Sequence, residues 1–275
     1  MTTARMTALA GVSRATYYRF DPETVPAVRD VDLRDAIQRI ALKHPAYGRP
    51  WITAEWKRQG WEVNHKRVGR ILREDNLLCL RKRKFQSTTD SRHAYPVHAN
   101  LLRSLAIGRP NQVWVADITY IRLAEEFVYL AVVLDAYSRL VIGWALERTL
   151  EAHLAVGALR MALGKRAVPA GLIHHSDRGV QYACGEYTQL LRDNQIRISM
   201  SRKGNPHDNA RAESFMKTLK HEQVHREEYR NIADARRRIG KFLECTYNRK
   251  RLHSALGYRP PAEFDALAAA LPVPA

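Results

Sequence analysis

Three acidic residues, Asp117, Asp177 and Glu213, stand where carboxylates could do chemistry. Asp117 interrupts an apolar run, Val113-Trp114-Val115-Ala116-Asp117-Ile118-Thr119-Tyr120-Ile121. Asp177 follows another, Leu172-Ile173-His174-His175-Ser176. Glu213 lies 36 positions further on, in the helical stretch Asp208-Asn209-Ala210-Arg211-Ala212-Glu213-Ser214-Phe215. Two strands and a helix that converge would bring the three together. Hard divalent cations prefer carboxylate oxygens, and Mg²⁺ keeps positions open for water and phosphate. Two such ions ~4 Å apart can activate a water or a 3′-hydroxyl and stabilise the leaving oxygen of a phosphodiester. Without metal the three carboxylates repel one another. An acidic cluster on a chain of net charge +17 therefore points to chemistry on nucleic acid.

The helix around Glu213 supports that placement. Ala212, Phe215, Met216 and Leu219 repeat at i, i+3, i+4 and i+7 and form an apolar stripe. Glu213, Lys217 and Lys220 form a second stripe beside it, so a carboxylate can face metal while two lysines face phosphates. Taken alone, Glu213 and Lys217 read equally well as a surface pair worth ~0.2–0.5 kcal/mol. Arg202 and Lys203 share a loop with Gly204 and are the stronger phosphate candidates beside Arg178 and Arg211. His174 and His175 read as structural, because two-metal chemistry needs no imidazole. Asp135 ends a strand and is expected to order a turn through Ser138 and Arg139. Trp51, Trp56, Trp61, Trp114 and Trp144 read as core rather than as base-stacking platforms.

The elements that must position these residues can be read in order. Residues 113–123, 127–135 and 140–146 are rich in β-branched and aromatic residues and separated by short turns, an antiparallel meander. Residues 151–166 read as a helix, 171–175 as a short buried strand and 182–193 as a helix. Residues 196–200 read as a strand, 201–207 as a loop, 208–222 as a helix capped by Asp208, and 231–249 as a longer helix. The expected fold is α/β, a mixed five-stranded sheet flanked by helices. Its order of elements resembles the ribonuclease-H-like fold, in which the first and fourth strands are neighbours and would bring Asp117 and Asp177 together.

Ahead of this core the chain reads as all-helical. Residues 6–20 suggest two short helices punctuated by Gly11, the second capped by Ser13. Three helical patterns follow within 31–76, the third opening at Asn64 with Val68, Ile71 and Leu72 inward and Lys66, Arg67 and Arg70 outward. A basic third helix suits the recognition position of a helix-turn-helix, and Arg81-Lys82-Arg83-Lys84 reads as a phosphate-contacting arm. The alternative is an ordinary three-helix bundle with a charged surface. Residues 1–110 hold 21 Lys and Arg against 10 Asp and Glu, so most of the basic excess lies outside the catalytic core. The expected division is a helical leader at 1–25, a helix-turn-helix domain at 26–84, a polar linker at 85–110, the core at 111–265 and a tail at 266–275.

Cys79, Cys184 and Cys245 form no CxxC pair, which excludes a zinc finger and a disulfide framework. The longest apolar run is too short to cross a bilayer, and no signal peptide is evident at the first residues. The expected setting is soluble and intracellular, with no membrane.

At the acidic residues a family becomes recognisable. Residues 113–120, the His175-Ser176-Asp177-Arg178-Gly179-Val180-Gln181-Tyr182 segment, and Met200–Ala210 running on to Glu213-Ser214-Phe215 resemble the three catalytic motifs of bacterial insertion-sequence transposases of the OrfB type. Tyr247-Asn248-Arg249-Lys250-Arg251-Leu252-His253-Ser254-Ala255-Leu256-Gly257-Tyr258 resembles their carboxy-terminal signature. The family belongs to the retroviral-integrase superfamily. The resemblance implies that Asp117, Asp177 and Glu213 are the DDE metal-binding triad, holding two Mg²⁺ ions with Mn²⁺ as a substitute. It implies that Lys220 helps hold the element's terminal DNA. It implies 3′-end cleavage and strand transfer, a homo-oligomer on DNA, and a partner or fusion from an upstream OrfA-type reading frame. Two rivals are a ribonuclease-H-like nuclease without strand transfer and a DNA-binding regulator whose sheet domain only assembles.

Overall fold

The structure is a computed structural model and describes residues 3–9, 11–19, 30–75, 77, 95–202 and 206–270. Gly11 takes a left-handed φ of 64° between α1 (Thr3–Leu9) and α2 (Arg14–Arg19). The backbone N–H of Thr16 donates to Ser13 Oγ at 3.0 Å, the expected cap.

Three helices, α3 (Val31–Lys43), α4 (Arg49–Arg58) and α5 (His65–Glu74), enclose a core of Ile37, Ile52, Val68, Ile71 and Leu72. Asn64 caps α5 by accepting from the Lys66 N–H at 2.8 Å. Trp56 is buried in this core, whereas Trp61 is 60% exposed, against expectation. Trp61 follows Gly60, whose φ of 85° ends the helical path and turns the chain outward.

Five strands form one sheet in the order β3-β2-β1-β4-β5. β1 (Val113–Arg122), β2 (Phe127–Asp135) and β3 (Val141–Glu147) are the antiparallel meander. β4 (Ile173–Ser176) joins β1 in parallel, with Val115 opposite His175, and β5 (Arg197–Met200) joins β4 in parallel. Alternate residues of β1 serve two cores. Trp114 and Ala116 face α6 (Ala152–Lys165), and Val113, Val115 and Ile121 face the opposite layer. Gly143 lets α6 lie directly on β3, since a Cβ there would collide with the Ala158 carbonyl and approach Ala162 N to 2.8 Å.

The helix expected at 182–193 is two, α7 (Val180–Ala183) and α8 (Gly185–Asp193), because Cys184 is extended at ψ 155°. α9 (Ala210–Glu222) starts later than expected, after a 3₁₀ turn at Pro206–Asn209. Asp208 is not its cap. Arg202 takes that carboxylate through its backbone N–H and a two-pronged guanidinium contact at 2.9–3.1 Å. α10 (Ile232–Lys241) is capped by Asn231, then widens into a π-helix at Phe242–Tyr247, which seats Phe242, Leu243 and Tyr247 in the core. α11 (Pro261–Ala270) carries helix into the expected tail.

Two stretches pack where sequence patterning showed little. Leu101, Leu102, Leu105 and Ile107, from the expected linker, lie against the core to which α9 contributes, and Leu101 N–H donates to Ser199 Oγ at 2.9 Å. The segment after the π-helix docks on the helical domain. Leu252 enters its core, Leu252 N–H donates to Tyr47 Oη at 2.7 Å, and Trp51 Nε1–H donates to the Leu252 carbonyl at 3.1 Å. Among the described residues no helix is long and apolar enough to cross a membrane.

Candidate active site

Asp117 lies on the face of β1 that α9 covers, paired in register with Val132 of β2. It is half-buried, and its Oδ1 accepts the Ile118 N–H at 2.8 Å. Asp177 follows the last residue of β4 and is also half-buried. Its Oδ1 accepts the Gly179 N–H at 2.9 Å, a two-residue Asx turn that fixes the carboxylate at the strand end. Glu213 sits in the first turn of α9 with its inward neighbour Ala212 fully buried. The start of α9 is pinned to β1 by Asn209, whose Nδ2 donates to the Ala116 carbonyl at 3.1 Å. Asn209 Oδ1 is buried without a hydrogen-bond partner among the described residues. Asn209 lies within the third motif, yet nothing in its residue type reveals this clamp.

The charges of Asp177 and Glu213 both bear on Asp117. Burial, then the charge of Asp177, then more weakly that of Glu213, push Asp117 up to about 7. Lys220 counters this in part. Its Nζ stands 4.6 Å from the centroid of the Tyr120 ring and within reach of Asp117, and its own pKa is lowered by burial. Lys217 lies on the same side of α9 and is exposed. A carboxylate whose charge is opposed by burial and by two neighbouring carboxylates is one a divalent cation would relieve. Among the described residues, no three carboxylate, imidazole or thiol groups are drawn together at the spacing of a finished metal site.

The histidines beside Asp177 are structural supports. His175 bridges Ser199 and Ser201 at 2.8 and 3.0 Å, and His174 hydrogen-bonds Tyr187 at 2.8 Å. Burial lowers them to about 4 and about 3, so both are neutral at neutral pH. Asp135 orders its turn as expected, its Oδ1 accepting from the Tyr137 and Ser138 amides at 2.9 Å. Arg139 contributes through its backbone N–H to the Asp135 carbonyl.

The basic candidates divide. Arg202 is committed to Asp208, whose carboxyl it holds far below the usual range. Arg67 and Arg70 both pair with the buried carboxylate of Asp30, and Lys66 stands exposed in the first turn of α5. Arg178 donates to the Ser201 carbonyl at 2.8 Å. Lys203, Arg81, Lys82, Arg83 and Lys84 lie outside the described residues. An apolar groove of about 400 Å³, unforeseen from sequence, opens beside Asp177 between Tyr120, Phe127, Tyr129 and Tyr182.

A ribonuclease-H-like sheet with carboxylates on β1, after β4 and on α9, behind an amino-terminal helical domain, defines a polynucleotidyl transferase of the integrase class. Residues 108–206 and 194–261 match family models described as integrase core domain, and residues 29–85 match an HTH-like domain. The chain is 40% identical over 259 residues to the insertion element IS600 uncharacterized 31 kDa protein of Shigella sonnei, covering 92% of this chain and 95% of that one. It is 42% identical over 220 residues to the transposase InsF for insertion sequence IS3A of Escherichia coli strain K12, covering 80% and 76%. A chain of the simian T-cell lymphotropic virus intasome, solved with the PP2A regulatory subunit B56 gamma, shares the fold at TM-score 0.52 and 16% identity, over 87% of this chain and 77% of that one. The chain belongs to the IS3 family of transposases.

Proposed function

We propose that this transposase cuts the 3′ ends of an insertion sequence with water and joins the freed 3′-hydroxyls to target DNA. The charge that Asp177 and Glu213 exert on Asp117 carries this reading. Asp117 and Asp177 would hold divalent cations, with Glu213 completing the set from α9. Mg²⁺ ions there would supply Lewis acidity and lower the pKa of the attacking hydroxyl or water. The protein's own part is positioning. Asn209 fixes the height of α9 over β1, and the Asx turn fixes Asp177. Lys217 and Lys220 would offer positive charge to the DNA backbone beside the carboxylates, and Lys203 would offer it from the loop after Arg202, where Asp208 holds the Arg202 guanidinium. Aromatic faces in the groove beside Asp177 suit bases unstacked near a cut end.

The helical domain at 26–84 would bind the element ends through Lys66, Arg67, Arg70 and the basic arm Arg81 to Lys84, with 85–110 connecting it to the core at 111–265. An oligomer on DNA, an OrfA-type partner and a place at the nucleoid in the cytoplasm complete the proposal. The test is a labelled duplex carrying the DNA that flanks the coding sequence, incubated with full-length protein and Mg²⁺. Joined strands from a pre-cut end are expected, and Asp117→Asn or Glu213→Gln should abolish them. Hydrolysed ends alone would assign the chain to a nuclease instead. Joining that survives Asp117→Asn would remove the triad from catalysis.

A further inference from the structure

We propose that a cleft on the flank of α9 opposite the triad is a phosphate-binding pocket that grips the backbone of bound DNA. The cleft is about 130 Å³, well above the ~10–15 Å³ that holds one water. Arg139, Arg211, Arg251, His253, Ser254 and Trp51 line it. α9 presents Arg211, Ser214 and Thr218 to this side, a hydroxyl-rich stripe distinct from the Glu213, Lys217 and Lys220 side.

Charge is unbalanced in the cleft. Arg251 is neutralised by a two-pronged pair with Glu222 at 2.7–2.9 Å. Neither the Arg139 nor the Arg211 guanidinium has a hydrogen bond or ion pair among the described residues, and the two positive charges oppose each other. The one carboxylate on the wall, Asp135, has its oxygens taken by the amides of Asn111, Tyr137 and Ser138. His253 is held neutral by burial and by Arg251, so it adds hydrogen bonding without charge. Two forked donors facing one cavity with hydroxyls around them suit a tetrahedral anion.

The backbone points the same way. Arg139 holds a left-handed φ of 61°, where an L-residue with a Cβ is disfavoured. Arg211 is exposed at the mouth and Arg139 half-exposed, so a duplex backbone can reach both. Trp51 comes from α4 of the helical domain, so that wall of the pocket exists only while the domain is docked. A DNA phosphate seated here would tie the helical domain, the carboxy-terminal signature and α9 into one DNA-bound unit. This inference rests on the transposase reading for its ligand.

The test uses full-length protein, a labelled random-sequence duplex and inorganic phosphate. Arg139→Asn, which tolerates left-handed backbone, is combined with Arg211→Gln. The charge-keeping control is Arg139→Lys with Arg211→Lys. Affinity is measured against salt by fluorescence anisotropy. One lost phosphate contact should flatten the slope of log K against log salt by about 1, and the lysine pair should retain the slope. An unchanged slope overturns the proposal. If inorganic phosphate raises the melting midpoint of the wild type alone while the slope stays unchanged, the cleft takes a free anion and the DNA assignment falls. Should the double variant fail to fold, Arg211→Gln alone, at the exposed mouth, carries the same measurement. The slope does not depend on catalysis. Joining lost in Asp117→Asn with an unchanged slope therefore sinks the pocket alone, and the reverse pattern sinks the triad alone.

Discussion

Replacing Asp117 by Asn should stabilise the metal-free protein while ending its chemistry. In the folded chain, burial and the charges of Asp177 and Glu213 raise Asp117 from 3.8 to about 7, with the Ile118 amide and Lys220 opposing. Between those two values the folded state holds a proton that the unfolded state has released. The contribution of this group to stability is therefore highest in acid and falls as pH rises towards 7. At ~1.36 kcal/mol per tenfold, the full gap is worth about 4 kcal/mol. A half-buried carboxylate is partly screened, which leaves about 2 kcal/mol. For a protein of this size that is a rise of about 4–8 °C in the melting midpoint of Asp117→Asn at about pH 8. Thermal unfolding followed by circular dichroism, with chelator and across about pH 4–8, measures it. The difference between variant and wild type should shrink to nothing towards about pH 4, where both side chains are neutral. Adding Mg²⁺ should reverse the order, because the wild type gains binding energy and the variant loses a ligand. An Asn variant less stable than wild type at about pH 8 without metal would refute the premise that a charge on Asp117 strains the fold.

Two further substitutions probe the frame. Gly143→Ala should destabilise the core by about 1–3 kcal/mol, because the new methyl meets the backbone of α6 rather than a movable side chain; a lower urea midpoint checks this, and no change would mean that α6 can lift off β3. Arg251→Met should cost about 2–4 kcal/mol by leaving Glu222 partly buried and unpaired, and adding Glu222→Gln should recover much of it. Urea titration of the single and double variants measures the recovery, and equal losses in both would show that Arg251 acts through packing rather than charge.

Much of the sheet was legible because each strand repeats a simple rule. β1 and β2 are long β-branched runs, and their register follows from a short turn. The stripe of Ala212, Phe215, Met216 and Leu219 gave the inward face of α9 directly, and all four are buried. The cap supplied by Asn231 was not foreseen; Asn64 read as a cap and acts as one. Asp208 read as one too, but a local propensity worth about 1 kcal/mol competes poorly with a charge-assisted fork from Arg202. Long-range contacts left no periodic trace. Tyr47, Trp51 and Leu252 meet across some two hundred positions, and no local pattern links them. The π-helical turn after α10 was likewise hidden, since its apolar residues fit an ordinary helix until the extra residue is counted.

These contacts make α9 a strut with both ends fixed. Asn209 ties its start to β1 beside Asp117, and Arg251 holds Glu222 at its end while Leu252 sits in the helical domain. Glu213 lies in the first turn, so its distance from Asp117 and Asp177 depends on the position of the whole helix. A helix is stiff along its axis, and a displacement at the Glu222 end is passed to the Glu213 end rather than absorbed between them. The contacts that hold the docked helical domain and the contact that sets Glu213 over β1 therefore lie at opposite ends of one element. That arrangement gives the carboxy-terminal signature a physical role: it joins the part of the chain that carries most of the basic excess to the part that carries the carboxylates.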